Sequence, residues 1–133
     1  MITFFVDGAP KGKGRPRFSR GRAYTPRETV EYEKHIASSY NGDMLSEPLF
    51  VDIAAYFSIP KSYTNKQKKA IKNGDLTPTK KPDTDNIAKV VLDALNGVAY
   101  VDDKQVIDLR VVKKYSEDRE GLEITIGEAK NEA

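Results

Sequence analysis

Apolar residues recur along this chain with two different periods, and the changes between them mark out the elements. Met1–Val6 (MITFFV) is a short apolar run closed by Asp7 and Gly8. It predicts a first strand, buried on both faces or nearly so. Lys11–Pro26 has no core-forming pattern; Arg15–Ser19 and Arg22–Thr25, joined around Arg20-Gly21, predict a protruding hairpin. Thr25 then reads as a helix cap with Pro26 at the first helical position. That helix is expected over Pro26–Tyr40, with Val30, Ile36 and Ala37 inward and Asn41-Gly42 as its stop.

From Leu49 to Pro60 the period becomes two. Leu49, Val51, Ile53, Ala55 and Phe57 alternate with more polar or smaller residues, which predicts a strand with one core face. Tyr63–Lys72 is a lysine-rich helix capped by Ser62 or Thr64 and ended by Asn73-Gly74-Asp75. Leu76–Pro82 is extended, because its two prolines oppose helix. A central helix follows, capped by Thr84 or Asp85 and running to Leu95, with Asn96-Gly97 beyond it. At about 100° per residue, Ile87, Val91 and Leu95 share its inner face, and Asn86, Lys89 and Asp93 share another. Ala99–Val101 is extended, Asp102-Asp103 is a turn, and Val106–Tyr115 and Leu122–Ile126 are two further strands. Residues 128–133 are expected to be a flexible tail.

The order is one of strands interleaved with helices, ending on two strands. It predicts an α+β fold: one domain over residues 1–133, a mixed β-sheet with helices packed mainly on one face. The length suits a single hydrophobic core. No cysteine is present, so disulfides and zinc–thiolate sites are excluded. The N-terminal apolar run is too short for a signal peptide, and no run approaches a membrane span. A cytoplasmic protein with no membrane partner is expected.

The formal net charge of +2 conceals segregation. Residues 1–27 hold seven Lys/Arg and one Asp, and residues 61–82 hold seven Lys and one Asp. Two basic blocks of this kind suit a polyanion. Lys13, Arg15, Arg17, Arg20 and Arg22 in the first, and Lys66, Lys69, Lys80 and Lys81 in the second, are the candidate DNA contacts. Phe18 and Tyr24 lie among the arginines, where aromatic rings can stack on unpaired bases.

Between the basic blocks and the C-terminal strands, five aspartates fall within residues 83–103: Asp83, Asp85, Asp93, Asp102 and Asp103. Clustered carboxylates repel and call for bases or cations. Oxygen donors without His or Cys point to Mg²⁺, with Mn²⁺ as substitute, rather than zinc. Asp83 and Asp85 flank the start of the central helix, and the turn returns Asp103 or Asp102 as a third ligand. Lys89, one turn after Asp85, pairs with it or faces a phosphate in the transition state. Asp93 reads as a partner of Lys89, and Asn86 as a residue that orients a carboxylate or reaches a metal through water. A calcium-binding loop is excluded: counting from Asp83, the sixth position is Ala88, not Gly, and the twelfth is Ala94, not Glu. No phosphate-binding glycine loop is present. His35, the single histidine, reads as a surface residue.

The run from Lys81 to Gly97 (KPDTDNIAKVVLDALNG), with Tyr100–Val106 (YVDDKQV), resembles the signature of RusA-type Holliday junction resolvases, found in prophages and bacteria. The likeness extends to Gly14–Phe18 (GRPRF), Lys113–Tyr115 and Glu123–Ile126, so it covers most of the chain. It implies a RusA-like fold and a homodimeric, Mg²⁺-dependent endodeoxyribonuclease. Such enzymes bind four-way branched DNA and nick two strands of like polarity, leaving ligatable ends. By motif position the essential aspartates fall on Asp83, Asp85 and Asp103 and the essential lysine on Lys89, with Asp102 the other half of the third pair. A flap or single-strand nuclease would use the same chemistry. A non-catalytic branched-DNA-binding protein is the reading from another class, and concentrated negative charge beside phosphates opposes it.

Overall fold

The computed structural model describes residues 1–130. In chain order the elements are β1 (Ile2–Asp7), β2 (Arg17–Ser19), β3 (Arg22–Tyr24), α1 (Arg27–Ser39), β4 (Leu49–Ser58), α2 (Asn65–Lys72), α3 (Thr84–Leu95), a 3₁₀ turn (Asp103–Gln105), β5 (Val106–Ser116) and β6 (Gly121–Glu128). Four strands form one mixed sheet in the order β1-β6-β4-β5, and β2 and β3 form a separate ribbon. β6 is antiparallel to β1 and to β4, whereas β5 runs parallel to β4. A parallel pair needs a long crossover. Here the crossover carries α2, α3 and the 3₁₀ turn, so every candidate acidic residue lies between two neighbouring strands.

The alternation in β4 holds at every position: Leu49, Val51, Ile53, Ala55 and Phe57 are all buried. They meet β6 in register, Val51 opposite Ile126, Ile53 opposite Ile124 and Ala55 opposite Leu122. This face packs beneath α1 and α3. The opposite face carries Asp52, Arg110, Lys114, Glu123 and Thr125 around a shallow groove of about 170 Å³. The expected one-sided α+β arrangement is therefore present. No helix among the described residues is long and apolar enough to cross a membrane.

Several local expectations are corrected. β1 is an edge strand, not a strand buried on both faces: Phe4 and Val6 are buried, and Thr3 is exposed. Helix α1 starts at Arg27, with Pro26 in the cap position at an extended ψ of 144° and no side-chain cap. Its inner face is Thr29, Tyr32 and Ile36, while Val30 and Ala37 are only half-buried. Thr29 turns inward because its hydroxyl accepts the Gly14 N–H at 3.1 Å, a bond to a distant segment that helical periodicity cannot reveal. Asp83, not Thr84 or Asp85, takes the cap position of α3. Glu128 closes β6, and the Ala129 N–H bonds the Pro48 carbonyl at 2.9 Å, so the expected tail does not begin at 128. Its last residues, 131–133, lie outside the described residues.

Candidate functional site

Helix α3 presents two contrasting faces. Ile87, Val90, Val91 and Leu95 are wholly buried against the sheet. Burying each such side chain contributes about 1.5–3 kcal/mol, which fixes the helix and therefore its outer face. That face carries Asp85, Asn86, Lys89 and Asp93. Asp83 has extended backbone (φ −71°, ψ 157°), and its carboxylate makes no capping bond. Asp83 and Asp85 are both exposed at the helix N-terminus, where the dipole favours negative charge.

The second acidic pair is held by buried groups. Beyond α3, Gly97 takes a positive φ of 75°, and its N–H bonds the Tyr100 carbonyl at 2.8 Å. Tyr100 is fully buried and donates its hydroxyl to the Leu92 carbonyl at 2.6 Å. Gln105 accepts the Asp102 N–H at 2.9 Å and donates to the Leu45 and Glu47 carbonyls at 3.0 and 3.1 Å. Asp102 itself caps the 3₁₀ turn by accepting the Lys104 N–H at 3.0 Å.

The neighbouring Asp102 and Asp103 carboxyls are shifted in opposite directions. The Lys104 N–H holds Asp102 below the ordinary aspartate value. Contact with Asp102 raises Asp103, with Asp93 adding to the effect and Lys89 opposing it. Asp103 thus feels the charges of Lys89 and Asp93, whereas Asp102 is engaged with its own turn.

The basic arm docks on the same helix. The Lys13 N–H bonds the Asn86 carbonyl at 3.2 Å. A Cβ on Gly12 would lie 2.9 Å from Asn86 Cβ, so only glycine permits this approach. The Lys13 ammonium sits between Glu33 and Asp93, 3.2 Å from each. Burial alone would lower its pKa; hydrogen bonds to Asp93 and Glu33 outweigh that and hold it above the ordinary lysine value. Lys89 lies 3.9 Å from Asp93, so Asp93 pairs with Lys89 as expected but more closely with Lys13. Beside this junction, Arg15, Lys81, Asp83 and Asn86 line a cleft of about 420 Å³.

The structure therefore brings Asp83, Asn86, Arg15 and Lys81 together, and packs the turn that carries Asp103 against α3. It does not gather the three candidate ligands: among the described residues no group of three acidic or imidazole side chains is close enough to hold a metal ion. The donors nevertheless suit a hard divalent cation in kind. All are carboxylates, and Mg²⁺ is commonly held by one or two carboxylates with waters and substrate phosphates. Asp102 and Asp103, adjacent in one turn, also repel each other unless a proton or a cation screens them.

Arg15, Arg17, Arg20 and Arg22 are exposed on the arm, as are Lys66 and Lys69 on α2 and Lys80 and Lys81 in the connector. Lys66 and Lys69 do not line the cleft. Lys13 is the exception among the candidate DNA contacts, being half-buried and neutralised by two carboxylates. His35 is exposed, as expected, and its Nε2 bonds the Asp7 carbonyl at 2.8 Å. Glu33 and Thr29 position the site without having been singled out from the sequence; Tyr100, Gln105 and Lys113 do so too, having been quoted only within the segments that carry the resemblance and given no role there. Lys113 donates to the Lys80 carbonyl at 2.5 Å, and both ammoniums lie over the Phe57 ring, at 5.5 and 5.6 Å. The Gln105 contacts span about 60 positions, so no local pattern signals them.

Comparison with known proteins gives two findings. The family described as endodeoxyribonuclease RusA matches residues 7–127. An uncharacterized protein of Bacillus subtilis (strain 168), YqaN, is 40% identical over 127 residues, covering 88% of this chain and 89% of that protein.

Proposed function

Because this chain belongs to the RusA endodeoxyribonuclease family, we propose that it resolves Holliday junctions, cutting four-way DNA by paired symmetric nicks in a Mg²⁺-dependent reaction. The observation that carries the reading is the cleft where exposed Asp83 meets Arg15, Lys81 and Asn86. Acidic groups beside a phosphate repel it unless cations intervene, and here cationic side chains share the cleft. Arg15 and Lys81 would hold a backbone phosphate next to the mouth of α3. Lys89, exposed on the same helix, would meet the charge that builds on phosphorus substituents in the transition state. Asp93 holds Lys89 on that face. Asp83, Asp85 and Asp103 are the candidate Mg²⁺ ligands, and the bound ion would supply a polarised phosphoryl oxygen and an acidified water.

Paired nicking needs two copies. A four-way junction is pseudo-two-fold, so a two-fold homodimer offers identical sites to symmetric strands. β5, an edge strand of the sheet, exposes Ile107 and Leu109, which suits contact with a second copy.

The test is a labelled four-way junction incubated with and without Mg²⁺, alongside linear duplex and a flap of matched sequence. Symmetric nicks confined to the junction and dependent on Mg²⁺ are expected. Equal cutting of the flap would favour the broader nuclease reading, and binding without cutting would favour the non-catalytic one. Sedimentation at working concentration should give a dimer; a monomer would remove the basis for paired nicks.

A further inference from the structure

Phe18 is the most exposed large apolar residue beyond the chain's first position, with 78% of its surface open to solvent. It stands on a ribbon whose six strand residues are all exposed. Arg20 (φ 52°) and Gly21 (φ 76°) close that ribbon in a two-residue turn whose central residues both have positive φ, the type that matches strand twist and keeps a ribbon straight and narrow. Register then divides the side chains. Phe18 is opposite Ala23, so those two share a face. Arg17 is opposite Tyr24 and Ser19 is opposite Arg22, and these four point the other way. On one face an aromatic ring stands beside a methyl group too small to cover it, and on the other stand two guanidiniums and a tyrosine. Residues 8–27 hold seven Lys/Arg and no Asp or Glu, so the surroundings repel a basic partner and attract a polyanion.

We propose that Phe18 is a specificity-determining wedge: the arginine face of the β2–β3 ribbon grips DNA backbone while the Phe18 ring stacks on a base left unstacked at the branch point. This deepens the junction-resolving reading and rests on it. A ring inserted into continuous duplex must first break a base step, whereas at a branch that stacking is already interrupted. Aromatic stacking on a single unpaired base is strong enough to change affinity by about tenfold or more. Phe18 therefore favours branched over linear DNA without reading sequence, since every base presents a stacking face.

Binding is measured without divalent metal, on a four-way junction and on linear duplex of the same sequence. Phe18→Ala should weaken junction binding about tenfold and leave duplex binding within about twofold. Phe18→Leu, which keeps apolar bulk without a stacking face, should behave like Phe18→Ala, and Phe18→Tyr like wild type. The side chain is exposed and outside the core, so these variants should unfold at the wild-type urea midpoint. The chain contains no tryptophan, so Phe18→Trp supplies a single indole whose emission can be excited apart from the tyrosines. Saturating junction should quench it, and duplex at equal occupancy should not. Equal losses on both DNAs, or unquenched emission at saturation, would overturn the wedge. If wild type prefers the junction and Phe18→Ala keeps that preference, only the role of Phe18 falls. If wild type binds both DNAs alike, the junction reading itself falls and takes the wedge with it.

Discussion

α2 and α3 are both amphipathic in sequence and lie in the same crossover, yet they are held very differently. α3 buries six residues, Ile87, Ala88, Val90, Val91, Ala94 and Leu95. α2 buries none. It is secured locally instead, by a capping box in which Thr64 accepts the Gln67 N–H at 3.2 Å and Gln67 accepts the Thr64 N–H at 2.8 Å. The difference follows the demands of the two helices. Carboxylates that must act on one phosphate need fixed positions, and misplacement by about 1 Å costs about a hundredfold in rate. Lysines that attract a polyanion act over roughly a Debye length, about 8 Å at physiological salt, so their helix needs only to exist. Rigidity is concentrated where chemistry is proposed and absent where charge alone suffices.

The sharpest challenge to this contrast is Asp85→Asn. It should lower junction cleavage on the order of a thousandfold while leaving junction affinity equal or tighter, because one charge repelling phosphate is removed. Gel-based single-turnover assays and binding titrations separate the two effects, and unchanged cleavage would detach α3 from the chemistry. Next in size is stability. Ile87→Ala should cost about 2–5 kcal/mol, against less than about 1 kcal/mol for Ile71→Ala on half-buried α2, read from urea midpoints. Comparable losses would mean that α2 is as firmly docked as α3. The smallest effect is expected for Lys66→Ala with Lys69→Ala, which should flatten the log–log salt dependence of DNA binding by roughly two without shifting the unfolding midpoint. A slope that does not move would take α2 out of the interface.

The contrast also explains which features the sequence made legible. The β4 alternation and the Ile87, Val91, Leu95 face depend on period alone, and both are present as read. Asn96-Gly97 marks the end of α3 because the positive φ at Gly97 suits glycine. The failures involve partners distant in the chain. Thr29 is buried by its bond to Gly14, β1 is exposed on one face because the helices cover only the other face of the sheet, and Lys13 meets Glu33 and Asp93 only after folding. At the site, the residue types were legible as an oxygen-donor set, but their spacing was not. Asp102 and Asp103 sit on a turn packed against α3, while Asp83 opens onto a cleft with Arg15 and Lys81.

The ion pair at Lys13 has a consequence for how strongly this protein responds to ionic strength. Only a cation facing solvent condenses onto a phosphate and liberates a sodium or potassium ion from the DNA atmosphere. Lys13 is half-buried and already matched by Glu33 and Asp93. The thermodynamic valence of the complex should therefore fall below the tally of lysines and arginines along its surface.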